Sequence, residues 1–67
     1  MKKTVGAKLK ELRLKKHLTQ AEVARAVGIS TSAIAMYERD ERIPRDTIKI
    51  KLANLFGKTV ASIFFAG

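Results

Sequence analysis

An all-α fold of five short helices is what this 67-residue sequence predicts, and three observations carry that prediction. Apolar residues recur at helical spacing, with helix-starting and helix-stopping residues between them. No stretch reads as a paired strand: IKIKL at 48–52 alternates briefly, but its length and neighbours fit the helical period better. The segment 20–39, QAEVARAVGISTSAIAMYER, puts apolar or small residues wherever two helices joined by a tight turn must touch. It puts short polar residues where the second of those helices would face outward.

The first helix is expected over 5–16, where Val5, Leu9 and Leu12 form one apolar stripe. Lys8, Lys10, Arg13, Lys15 and Lys16 occupy its other faces. His17 follows at a helix-ending position with positive φ, which His tolerates better than most non-glycine residues. Thr19-Gln20-Ala21-Glu22 is a T-x-x-E capping box that opens the second helix and satisfies two of its free amides. Gly28 ends that helix and permits the tight turn. Ser30 is a good N-cap for the third helix, expected to run to about residue 39. A polar stretch at 40–45 contains the only proline, Pro44. The fourth helix is expected over 46–56, with Ile48, Leu52, Leu55 and Phe56 on one face and Gly57 as its stop. Thr59 can cap a last short helix at 60–65.

This length predicts one small domain, 1–67, close to the lower limit for folding without staples. There is no cysteine and one histidine, so disulfides and cysteine-based zinc sites are excluded and no metal or cofactor is expected. Oligomerisation is then one source of added stability. Fourteen Lys and Arg against six Asp and Glu give a formal charge of +8, which favours polyanionic partners, nucleic acid before acidic membranes. No apolar run approaches the ~20 residues of a membrane span. The start MKKTVGAKLK lacks the apolar core of a secretory signal, so a cytoplasmic protein is expected.

The segment 20–39 is a helix-turn-helix by its chemistry. Ala24 is small where the two helices cross closely, and Val23, Val27, Ile29, Ile34 and Tyr37 fill the space between them and the core. A second helix held at that angle fits the major groove of DNA. Its outward face is Thr31, Ser32, Ala35, Met36 and Arg39, with Ser30 and Ala33 at the margin. Thr and Ser can hydrogen-bond base edges, while Ala, Met and the Thr methyl can pack on thymine methyl groups. Arg39, Arg42 and Arg45 surround the polar loop as candidate phosphate contacts, interrupted by Asp40 and Glu41, which repel phosphate. Lys2, Lys3, Lys8, Lys10, Lys15 and Lys16 read as a solvated basic face that raises the local potential.

These residues resemble the DNA-binding domain of the Cro and phage-repressor helix-turn-helix family from end to end. The matching residues are L-T-Q-A-E-V-A-x-x-V-G at 18–28, S-x-x-x-I-x-x-Y-E-R at 30–39 and R-I-P at 42–44. The resemblance implies a repressor-like five-helix domain that binds a double-stranded DNA operator and regulates transcription. It implies that Thr31, Ser32 and Met36 lie closest to base edges, with Gln20 near a phosphate or an outer base and Thr19 near a phosphate. Relatives often carry Gln, Asn or Arg on that outward face, and this chain does not. The resemblance also implies an ion pair of Arg13 with Glu38 that braces the first helix against the third.

The chain ends on the apolar Val60, Ile63, Phe64 and Phe65. Two of these are expected to cover the core and the others, Phe65 above all, to be exposed as a two-fold homodimer contact with Phe64. Nothing reads as an effector or protease-like domain, so no small-molecule effector is expected and a minimal Cro-like repressor is favoured. The competing reading is a protein-binding module, such as an antitoxin-like partner, supported by the lack of long polar side chains on the third helix. An enzyme is not expected: no constellation of Ser, His and carboxylates is present.

Overall fold

The computed structural model describes residues 3–65, and Lys2 of the basic face lies outside them. Five helices follow in order: α1 Val5–Lys15, α2 Gln20–Val27, α3 Thr31–Glu38, α4 Asp46–Phe56 and α5 Ala61–Phe65. No strand occurs among the described residues.

Each start and stop has a local cause. Thr4 Oγ1 accepts from the amide of Ala7 to open α1, and His17 follows the helix at φ 59°. At α2 both arms of the capping box form: Thr19 Oγ1 accepts from the Glu22 amide at 3.1 Å, and Glu22 Oε1 accepts from the Thr19 amide at 2.8 Å. Gly28 takes φ 77° with no heavy atom near its missing Cβ, so conformation rather than crowding requires glycine here. Ser30 Oγ accepts from the Ala33 amide at 3.1 Å and starts α3. α4 has no side-chain cap, and Asp46 in its first turn complements the helix dipole. The last element is a π-helical turn rather than an ordinary helix. There Thr59 Oγ1 accepts from the Ser62 amide and Thr59 O accepts from Ser62 Oγ.

The core joins all five elements. Leu9, Val23, Ala24, Val27, Ile34, Tyr37, Ile48, Leu52, Phe56 and Ile63 are buried, with Leu52, Ile63, Val23 and Val27 the most enclosed. Burying each such large side chain is worth about 1.5–3 kcal/mol. Ala53 joins Ile48, Leu52 and Phe56 in the core on α4, while Leu55 is partly buried against it. Pro44 is buried as well, which anchors the otherwise polar loop to the body.

α1 meets α3 through a close backbone approach. A Cβ on Gly6 would lie 2.5 Å from Glu38 O and 2.6 Å from Tyr37 O, so only glycine fits. The Gly6 amide donates to Asp40 Oδ1 at 2.8 Å, and Asp40 itself adopts φ 60°. Asp40 therefore ties the end of α3 to the first turn of α1.

Candidate nucleic-acid interface

The α2–turn–α3 unit is held from below by a buried network. Arg13 donates from Nε to Glu38 Oε2 at 2.7 Å and from Nη2 to Glu38 Oε1 at 3.1 Å. Its Nη1 donates to Leu18 O at 2.9 Å, and Gln20 Nε2 donates to Glu38 Oε1 at 3.1 Å. The Arg13 and Glu38 side chains are 10% and 6% exposed, which separates this pair from surface ion pairs. The hydrogen bond to Glu38 raises the Arg13 pKa above its ordinary value, although burial opposes the charge. One carboxylate thus links α1, the start of α2 and the end of α3, and so sets the orientation of α3.

On α3, Thr31 and Ser32 are exposed, while Ala35 and Met36 are half-buried at the surface. Ser30 is exposed at the helix start, with its hydroxyl engaged as the cap. Ala33 departs from the expected position at the margin. It is 8% exposed and belongs to the core, because with Ile34 and Tyr37 it lies on the face that packs inward. Gln20 is half-buried and committed to Glu38 through its amide nitrogen. Thr19 is exposed but occupied by the capping box.

The loop arginines differ from one another. Arg39 Nη2 donates to Glu41 Oε1 at 2.9 Å. This pair raises the Arg39 pKa and lowers that of Glu41, the hydrogen bond being the main cause for each. Arg42 and Arg45 are exposed and have no ion-pair partner among the described residues. They line one polar groove with Ser30 and Thr47, between the turn, the loop and the start of α4. Asp40, expected to repel phosphate from this loop, is exposed and accepts from the Gly6 amide through Oδ1. Neither the Gly6–Asp40 contact nor the closeness of Gln20 to Glu38 had a signal in spacing, since 34 and 18 residues separate the partners.

Away from this face, Ile63 is buried, Phe64 is half-buried and Phe65 is 67% exposed. The Lys49 ammonium lies 5.6 Å from the Phe64 ring centroid and 4.9 Å from that of Phe65. Ile43 and Ile50 are also exposed. Among the described residues no His, Cys, Asp or Glu group could hold a metal ion, and no helix is long and apolar enough to cross a membrane.

The comparisons agree with this geometry. A family model described as helix-turn-helix matches residues 9–63. The chain is 40% identical over 53 residues to the HTH-type transcriptional regulator ImmR of Bacillus subtilis (strain 168), covering 79% of this chain and 42% of that protein. It is 30% identical over 58 residues to the cryptic phage CTXphi transcriptional repressor RstR of Vibrio cholerae, covering 87% and 52%. The chain thus spans about half the length of these curated relatives. The P22 c2 repressor, solved in complex with synthetic operator 9T, matches with TM-score 0.93 over 98% of this chain and 100% of that one, at 23% identity, a likeness of fold. The chain belongs to the helix-turn-helix family of Cro and phage-repressor type.

Proposed function

We propose that this chain is a sequence-specific double-stranded DNA-binding regulator of transcription, acting as a Cro-like repressor on a palindromic operator as a homodimer. The observation that carries the proposal is the braced α3, with Thr31 and Ser32 exposed on it and with Arg42 and Arg45 exposed along a groove that includes its N-cap, Ser30. The names of ImmR and RstR, a regulator and a repressor, support the same reading. In it, Thr31, Ser32 and Met36 lie at base edges, with Ser30 and Ala35 at the margin. Arg42 and Arg45 hold phosphates, joined by Arg39 when it leaves Glu41, and by Thr19 and the oxygen of Gln20. The α2 N-terminus favours a phosphate at that point through its free amides and dipole. The protein works where DNA is, in the cytoplasm or nucleoid.

Phe64 and Phe65 form the dimer contact in this reading. Two copies then hold their α3 helices about 34–36 Å apart, one turn of DNA. Six to ten phosphate contacts imply a loss of roughly 10³–10⁵ in affinity between 50 and 200 mM salt. Selection from a random duplex pool tests the function. An enriched palindrome whose binding is lost in Ser32→Glu supports it; no enriched sequence overturns it.

A further inference from the structure

α5 is a π-helical turn of five residues, too short to hold its own shape, since isolated helices under about 12 residues are marginal in water. Its fixed points are the Thr59 cap, which holds Ser62, and Ile63, which is 2% exposed in the core. Both precede Phe65, which is 67% exposed, so burial does not fix its ring. What meets that ring is Lys49 of α4, whose ammonium lies 4.9 Å from the Phe65 centroid and 5.6 Å from that of Phe64. The Lys49 side chain is only 14% exposed. An ammonium is strongly hydrated, and leaving water needs compensation. Here the compensation is two ring faces and Asp46 Oδ1 at 3.9 Å.

Lys49 and Phe65 are also the two residues shared by two neighbouring grooves. One runs beside Val5, Ile43 and Pro44, the other beside Ile50 and Val60. Phe65 therefore stands as a ridge between two mainly apolar grooves, with Ile43 and Ile50 exposed along them. A ridge beside a groove is self-complementary about a two-fold axis, because the ridge of each copy can enter a groove of the other. Resting on the dimer reading above, we propose that Lys49 is the positioning residue of that contact: its ammonium clamps the rings of Phe64 and Phe65, so that Phe65 is already in place for a second copy of the chain. Lys49 acts within its own protomer, before two copies meet. Without the clamp, Phe65 must be ordered during association, a cost that each copy bears.

Two variants of the intact chain, shown folded by circular dichroism, test the clamp. Lys49→Met keeps an unbranched stem and removes the charge, while Lys49→Arg keeps a cation that can stack on the rings. In sedimentation equilibrium the dimer dissociation constant of Lys49→Met is expected to rise by about 5- to 30-fold, or about 2- to 5-fold for each of two clamps. Lys49→Arg is expected to stay within about twofold of wild type. Removing a positive charge from each copy of a +8 chain lessens repulsion, so net charge alone would tighten the Lys49→Met dimer. At dilutions where the chain is monomeric, NMR is expected to show the Lys49 ε-methylene shifted upfield by the rings, and lower backbone order at 64–65 in Lys49→Met. If Lys49→Met dimerises like wild type while Phe65→Ser does not, the clamp is overturned and the dimer reading stands. A weakened Lys49→Met dimer whose monomer keeps wild-type order at 64–65 also overturns it, since Lys49 then acts across the interface. If wild type stays monomeric at high concentration, or Phe65→Ser matches it, the dimer reading fails and this inference fails with it.

Discussion

Replacing Glu38 by glutamine isolates the charge in the network that orients α3. The substitution keeps the shape and one acceptor oxygen but removes the negative charge facing Arg13, whose side chain is 10% exposed. Breaking a buried pair by removing one partner costs about 3–5 kcal/mol, because the remaining charge stays buried without compensation. A chain of this length has a total stability of about 3–10 kcal/mol at the usual 0.05–0.15 kcal/mol per residue. The variant therefore loses much of its stability, and its Tm falls by at least ~12 °C at 4–8 °C per kcal/mol. Leu18 keeps the effect from being larger, since its carbonyl still accepts from Arg13 Nη1. The matched control is the double variant Arg13→Met with Glu38→Leu, which removes both charges. It is expected to recover most of the loss, since apolar replacement of a buried pair is often neutral or stabilising. Urea and thermal unfolding by circular dichroism on wild type, Arg13→Met, Glu38→Leu and the double variant measure the coupling directly, with Glu38→Gln followed alongside. A cost below ~1 kcal/mol for Glu38→Gln refutes the reasoning, because that is the range of solvated surface pairs.

Further expectations follow from other contacts. Gly6→Ala improves helix propensity by up to ~1 kcal/mol, yet its Cβ meets two backbone carbonyls under 3.0 Å away. A net loss of about 1–3 kcal/mol is expected in chemical denaturation, and a neutral or stabilised variant would contradict the close approach. Glu41→Gln frees Arg39 from its pair, so binding to nonspecific duplex is expected to tighten and its salt dependence to steepen, as read by fluorescence anisotropy. Because Arg39 lowers the Glu41 pKa, the pair is present above the ordinary Glu range and is lost as pH falls through that lowered value. The affinity gap between Glu41→Gln and wild type is accordingly expected to persist through mild acid and to close only below the ordinary Glu range. Arg42→Gln and Arg45→Gln should each reduce the slope of log affinity against log salt by about 1 while changing all sequences alike. Sedimentation of wild type against Phe65→Ser tests the dimer contact: a lower mass for the variant at high concentration is expected, and equal masses count against it.

Local signals were well encoded. The T-x-x-E box, Ser30, Gly28 and His17 act within a few residues of themselves, and each adopted the conformation its side chain favours. The inward positions Val23, Ala24, Val27, Ile34 and Tyr37 were equally legible, since helical period alone places them on one face. Period and packing part ways at Ala33. Helical spacing puts it at the outer margin of α3, but the helix turns it into the core beside Ile34, and a small apolar side chain satisfies either position. On α4, Ala53 joins the expected Ile48, Leu52 and Phe56 in the core, with Leu55 packed against it, since a small alanine carries too weak an apolar signal to mark its face.

The sequence by itself determined the five helices, their caps, the tight turn and the family, because hydrogen bonding within a turn and apolar periodicity are short-range properties. Tertiary structure alone decided which charges remain available at the surface. Asp40 and Glu41 look alike in the loop, yet one accepts from the α1 amide of Gly6 and the other from Arg39. Gln20 looks like a reader of bases, yet its amide nitrogen is committed to Glu38, which also holds Arg13. Those commitments depend on the distance between atoms far apart in the chain, a distance that exists only after α1 has packed against α3.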